Sequence, residues 1–215
     1  MLFYGRLIYS CMRIRKAVKS DVKDIAKLAL IAGEGIPAYF WAQSAKQNQP
    51  IEEAGAAKLL SENDNFSYRN THVAVIDNEI AAMLLAYRLP EADVAENLDE
   101  LPEFIRPLVE LEQRVPASFY INMIAAFPQY RNKSIGTRLM NMVDRLAIEQ
   151  GCRLSSLEVF DQNEGALRLY QRLGYQIMDK RAVIPHACHP YHGHILLLTR
   201  PVDNYNDTRF QNSRS

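Results

Sequence analysis

The chain has 215 residues, 48% of them hydrophobic and 23% charged, so it can build a proper core within one domain that carries an insertion or a tail. Its 25 Lys and Arg balance 25 Asp and Glu, which leaves no net field favouring nucleic acid or an anionic membrane and points to a soluble protein with a small or locally selected partner. Cys11, Cys152 and Cys188 are too few and too scattered for a disulfide framework, so a reducing cytoplasm is the expected location.

Residues 1–11, MLFYGRLIYSC, lack a continuous apolar region of signal-peptide length and are not a membrane span, so they read as an extension ahead of a domain that begins near Met12. From Arg13 to Val18, RIRKAV alternates as a half-buried strand does. A helix follows, with Ser20 as its cap, Val22, Ile25, Ala26 and Ala29 on one face, and Gly33 and Gly35 as its stop. Residues 38–60 are helical with an interruption near Pro50. THVAVIDNEIAAMLLAYRL reads as two strands joined at Asp77 and Asn78, which tolerate the left-handed angles of a tight hairpin.

The acidic segment at about 90–116 spaces Leu98, Leu101, Ile105, Leu108, Val109 and Leu111 for short helices broken at prolines. Its charge favours a solvated helical insertion, with a lid for a cationic substrate as the functional alternative. SFYINMIAAF, residues 118–127, is the apolar run expected of a strand buried on both faces. A helix with Leu139, Met140, Val143, Leu146 and Ala147 on one face then runs to Gly151. RLSSLEVF is a strand, NEGALRLYQRLG a helix stopped by Gly174, and YQIMDKRAVI and HILLLTRP are two more strands. Residues 12–202 are thus expected to form one domain, followed by a flexible tail over 203–215.

The strand at 118–127 feeds a helix through QYRNKSIGT. Amides in a first helical turn have no intrahelical partner and point outward, where the macrodipole adds partial positive charge, so a pyrophosphate fits there. Arg131 and Lys133 add charge at the rim. Glycine at position 134 would permit closer approach and positive φ, whereas Ser134 keeps the amide donor and offers a hydroxyl but is held to ordinary angles unless strained.

The run AAFPQYRNKSIGTRLMN resembles motif A of the GNAT superfamily of acyl-CoA-dependent N-acetyltransferases, Arg/Gln-x-x-Gly-x-Gly/Ala after a buried strand. Arg131 and Gly136 match it and Ser134 departs from it. Downstream, NEGALRLYQRLGYQ resembles motif B of the same family, Asn-x-x-Ala-x-x-Leu-Tyr-x-x-x-Gly-Phe, with Tyr175 in place of the Phe. The two motifs stand in the family's order, separated by one helix and one strand.

The resemblance implies an α/β (α+β) fold, a mixed and mostly antiparallel central sheet splayed at its middle with helices on both faces. It implies acetyl-CoA as co-substrate, with the pyrophosphate on Arg131, Asn132, Lys133, Ser134, Ile135, Gly136 and Thr137 and the pantetheine arm along Met123, Ile124 and Ala125. An amide near Ile124 stabilises the oxyanion in that scheme, and transfer to an amine is direct, both substrates being bound together. Asn163 and Tyr170 are seven residues apart, on nearly one helical face and roughly 10 Å apart along the axis. One helix can thus hold the pantetheine amides with Asn163 and protonate the leaving thiolate with Tyr170, although a core role for Tyr170 beside Leu167 and Leu173 is the plain alternative.

The proton acceptor is not chosen by spacing. Asn122 lies where this family often has a carboxylate, and its amide can orient a water but not take a proton. Glu110, Glu112, Glu158 and the histidines of PHACHPYHGH are the candidates. His186, His189, His192 and His194 with Cys188 do not match the spaced pairs of a structural zinc site, so no metal is expected, and a metal-binding module or a substrate-facing loop are alternatives to plain surface histidines. A catalytically silent CoA-binding protein is the other rival. Small amine, antibiotic, amino acid and protein N-terminus all stay open as acceptor, as does a homodimer.

Overall fold

The computed structural model describes residues 12–92 and 97–202. The expected extension over 1–11 with Cys11, the tail over 203–215 and positions 93–96 of the acidic insertion lie outside the described residues. Seven strands are hydrogen-bonded in the order β1-β2-β3-β4-β5-β7-β6, a mostly antiparallel sheet accompanied by helices. The chain divides into two compact units, and β3 and β4 each pass from one into the other.

The first unit takes the described residues up to Ala86, with 122–140 and 187–190. It holds β1 (Arg13–Lys16), α1 (Val22–Ala32), α2 (Ile36–Ser44), α3 (Ile51–Leu59), β2 (Thr71–Ile76) and most of β3 (Glu79–Arg88). β1 and β2 are antiparallel, from Arg13 opposite Val75 to Lys16 opposite His72. The turn between β2 and β3 uses Asp77 and Asn78 at φ 49° and 68°, the two left-handed residues that match the twist of a tight hairpin. Ser20 does not cap α1. Asp21 organises its start instead, accepting from the Val18 amide at 2.8 Å and from both terminal nitrogens of Arg15 at 2.6 and 3.0 Å. Ile25, Ala26, Leu28 and Ala29 are then buried with Leu59 and with Ala81–Leu85 of β3. Gly55 lets α3 lie against Trp41 of α2, since a Cβ there would come within 2.3 Å of the indole.

The second unit takes 87–121, 141–186 and the described residues from Tyr191. It contains α4 (Arg106–Glu112), the first part of β4 (Phe119–Ala126), α6 (Val143–Glu149), β5 (Leu154–Phe160), α7 (Glu164–Arg172), β6 (Gln176–Ala182) and β7 (His194–Pro201), while α5 (Ile135–Met140) belongs to the first. β5 runs parallel to β4 over Phe119↔Ser155, Tyr120↔Ser156 and Ile121↔Leu157, and the rest of β4 lies beyond that ladder. β7 pairs antiparallel with both β5 and β6. Leu157, Ile195, Leu197 and Leu198 form its apolar centre.

Three expectations change on the structure. The single helix after the turn is two, α5 and α6, broken at Asn141 and Met142; asparagine is among the weaker helix formers. The strand at 118–127 is buried over Phe119–Ile121 but only half-buried from Asn122 to Ala126. The acidic insertion is not simply solvated, because Phe104, Ile105 and Leu111 enter the core and leave the charges outside.

Candidate active site

The turn after β4 has a shape that the sequence did not disclose. A short 3-10 turn, Pro128–Tyr130, leads to an extended Arg131, then Asn132 at φ 60° and Ser134 at φ 57° alternate with Lys133 before α5 begins at Ile135. Ser134 therefore occupies the left-handed conformation that glycine favours, not an ordinary angle. Such alternation curls successive backbone N–H groups into an anion-binding concavity. Residues 131–134 are exposed, Gly136 and Thr137 half-buried, and Ile135 is only 3% exposed, so its side chain anchors the rim in the core. Lys133 lies 5.3 Å from the ring centroid of Tyr130, whose hydroxyl donates to Glu79 at 2.9 Å. The charged groups and the curl fit a pyrophosphate. Met123, Ile124 and Ala125 lie in the half-buried part of β4, directly after Asn122.

In the second unit Asn163 is the N-cap of α7 and not part of the helix, with φ −83° and ψ 62°. Its side-chain oxygen accepts from the Ala166 amide at 3.3 Å, so the expected alignment with Tyr170 on one helical face does not describe it. Tyr170 is buried on α7 at 7% exposure, with its ring edge-on to Tyr175 at 6.2 Å. Tyr175 in turn donates to the Ser155 hydroxyl at 3.0 Å. The Tyr175 ring thus packs against Tyr170 while its phenol has a buried partner.

A carboxylate cluster stands in the same unit. Glu158 is on β5, opposite Leu197 of β7, and both its carboxylate oxygens are shut off from solvent. Tyr120 of β4 and Glu112 of α4 face it. Burial raises the Glu158 carboxyl well above the usual glutamate range and the charge of Glu112 raises it further. The Tyr120 hydroxyl pulls the other way, although it is not aligned with Glu158 for a full hydrogen bond. The Tyr120 phenol is itself pushed up, by burial first and then by Glu158 and Glu112. Tyr87 of β3 sits edge-on to it at 5.8 Å. Sequence reasoning left Glu158 as one candidate among several and missed Tyr120. The available signal was a lone charge inside the apolar strand SSLEVF, since an ionisable group seldom sits in such a strand without a task.

A family model of the "Acetyltransferase (GNAT) family" matches residues 37–175, which include both the turn and α7. The chain belongs to the GNAT acetyltransferase family. Among curated relatives it is similar to thialysine N-epsilon-acetyltransferase of Mus musculus, 40% identical over 57 residues that make up 26% of this chain and 34% of that one. The matched stretch thus spans about a third of that relative's length. Among solved structures, the polyamine N-acetyltransferase of Drosophila melanogaster that catalyses the formation of N-acetylagmatine superposes with a TM-score of 0.61 at 20% identity, over 89% of this chain and 100% of that one. The NatC complex bound to Gag peptide and CoA gives a TM-score of 0.54 at 16% identity, over 88% and 98%. These two likenesses carry the fold.

The histidines of this GNAT chain are spread over separate tasks. His186 stacks on Phe104 at 4.0 Å, and His189 is buried. The His192 amide donates to Gln162 at 2.8 Å, and the His194 amide donates to Asp161 at 3.0 Å. Among the described residues no three His, Cys, Asp or Glu side chains are grouped as metal ligands are. Among those residues no helix is long and apolar enough to cross a membrane.

Proposed function

We propose that this GNAT protein moves the acetyl group of acetyl-CoA to a primary amine by direct transfer, with Glu158 as the proton acceptor and Tyr170 as the proton donor. The observation that carries this reading is the buried Glu158 carboxyl facing Glu112 and Tyr120, twelve residues ahead of Tyr170 in the chain, counted as 170 minus 158. When bound, acetyl-CoA supplies an activated acetyl thioester. The curled amides of residues 131–137 and the charges of Arg131 and Lys133 hold the pyrophosphate. Asn163 and the backbone of Met123, Ile124 and Ala125 hold the pantetheine arm, as the family resemblance implies.

Glu158 takes a proton from the acceptor's ammonium group, which leaves a lone pair for the new carbon–nitrogen bond. A carboxylate whose pKa is raised is a stronger base than an ordinary glutamate once ionised. Tyr170 gives its phenolic proton to the sulfur as the carbon–sulfur bond breaks, and the second proton, which the nitrogen sheds as the amide forms, restores the phenol. Asn122 can orient a water, since an amide both donates and accepts. The acceptor is an amine presented as a cation, because a buried carboxyl beside the charge of half-buried Glu112 favours a positive charge.

The decisive experiment is acetyl-CoA turnover with a panel of amines, agmatine, spermidine, lysine analogues and N-terminal peptides, followed by thiol release. Acetylated product with at least one amine, and its loss in Glu158→Gln, is expected. Turnover that is unchanged in Glu158→Gln would reject the assignment.

A further inference from the structure

α4 and β6 are joined by a crossed ion network. Arg181 Nε donates to Glu110 at 2.7 Å while its Nη1 lies 3.1 Å from Asp179, and Asp179 in turn meets Arg114 Nε at 3.4 Å. Glu110 and Arg114 come from the α4 segment and Asp179 and Arg181 from β6, so the two elements exchange one acid and one base each. Helical hydrogen bonds continue past the end of α4, from the Gln113 amide to Val109 and from the Arg114 amide to Leu111. Glu110 and Arg114 therefore share a face, and Glu112 between them points about 200° round the axis from each. That opposite direction is where Tyr120 and Glu158 stand. Leu111 is fully buried and pins the helix lengthwise, but an apolar side chain in a core tolerates a small roll about the axis. The crossed pairs oppose that roll.

We propose that Arg181 is a positioning residue, which fixes the rotation of α4 through Glu110 and Asp179 and so holds Glu112 against Tyr120 and Glu158. The inference rests on the reading of Glu158 as proton acceptor only for its functional consequence; the structural coupling stands without it. The titratable groups that face Glu158 are Glu112 from α4 and Tyr120 from β4, with Tyr87 of β3 behind Tyr120. If α4 rolls, the Glu112 charge recedes and water gains access, and both changes lower the proton affinity of Glu158.

The pairs are partly exposed, Arg181 and Glu110 at 31% and 40% and Arg114 and Asp179 at 59% and 28%, so their removal should cost little stability, which thermal unfolding of each variant checks. The full chain is titrated with 13C-labelled glutamate side chains, the Glu158 carboxyl resonance being the one lost in Glu158→Gln. Arg181→Gln is expected to lower the Glu158 midpoint by about 0.5–1 pH unit, and Arg181→Lys to restore part of it. Glu110→Gln should reproduce the shift. In Glu112→Gln the midpoint also falls, and adding Arg181→Gln should then move it by less than it does in the wild type, because only the entry of water is left to act. An unchanged midpoint in both Arg181→Gln and Glu110→Gln, or fully additive shifts with Glu112→Gln, would overturn the inference. A Glu158 midpoint that moves as stated while the acid limb of turnover does not follow it would spare the coupling and reject Glu158 as the base.

Discussion

Asn132 and Ser134 flank Lys133 with nearly the same left-handed backbone, φ 60° and 57°, and together they bend the turn ahead of α5. Left-handed geometry costs an L-residue other than glycine roughly 1–2 kcal/mol, less where a short polar side chain bonds locally. Ser134→Gly should therefore stabilise the folded protein by about 1 kcal/mol, seen as a higher midpoint in denaturant. It should also preserve or enlarge the thermal shift that acetyl-CoA and desulfo-CoA produce. Gly136→Val should abolish that shift. A ligand shift lost in Ser134→Gly, or absent from the wild type at millimolar CoA, would reject the pyrophosphate assignment.

With Glu158 as the proposed proton acceptor, its ionisation should set the acid limb of the rate profile. Its folded pKa is raised, so the carboxylate form is present only above that value and turnover falls as pH drops through it. The limb should lie above the ordinary glutamate midpoint of about 4.3. Glu158→Gln should remove it and lower turnover by roughly 10² or more. Stability runs the other way: a carboxyl raised on folding stabilises most below its unfolded pKa, and that contribution is lost as pH rises through the folded value. Glu158→Gln should thus be as stable as wild type or more so at pH 8, measured by thermal unfolding.

Tyr170→Phe leaves the ring edge-on to Tyr175 and removes only the hydroxyl. Stability should change little. Turnover should fall by roughly 10² or more while the Michaelis constant for acetyl-CoA stays near its wild-type value. Undiminished turnover, with chemistry rate-limiting, would place Tyr170 in the core alone.

Asp21 predicts a pH dependence in the opposite direction. Burial by itself raises its carboxyl, but the Arg15 hydrogen bonds and the Val18 amide outweigh burial and hold its pKa below the usual range. Its contribution is complete above the unfolded carboxylate pKa of about 3.9 and is lost as pH falls through the lower folded value. Asp21→Ala should cost about 1–3 kcal/mol at pH 7, since it strips both the Arg15 guanidinium and the Val18 amide ahead of α1 of their acceptor. The deficit should shrink toward pH 2 in urea unfolding.

Several features were legible in the amino-acid order because their causes are local. Asp77 and Asn78 announce the β2–β3 turn by tolerating positive φ, and the apolar periods of 22–29 and 195–198 announce α1 and β7. Motifs A and B were readable for the same reason, each being a short run whose chemistry rests on its own backbone. Local reading failed where the cause was distant. It assigned Ser20 as a cap because serine suits that place, but α1 starts with no side-chain cap, and Asp21 is bonded instead to Arg15 and the Val18 amide. It held Ser134 to ordinary angles because serine prefers them, whereas the chain on either side imposes φ 57°. It could not rank Glu110, Glu112 and Glu158, which are the same residue type with the same intrinsic acidity. Tertiary structure separates them: Glu110 turns to Arg181 and Glu112 stays half-buried, while β5 places Glu158 beside Tyr120 away from water. A carboxylate's proton affinity depends on the dielectric and the charges around it, and those come from segments far apart in the chain.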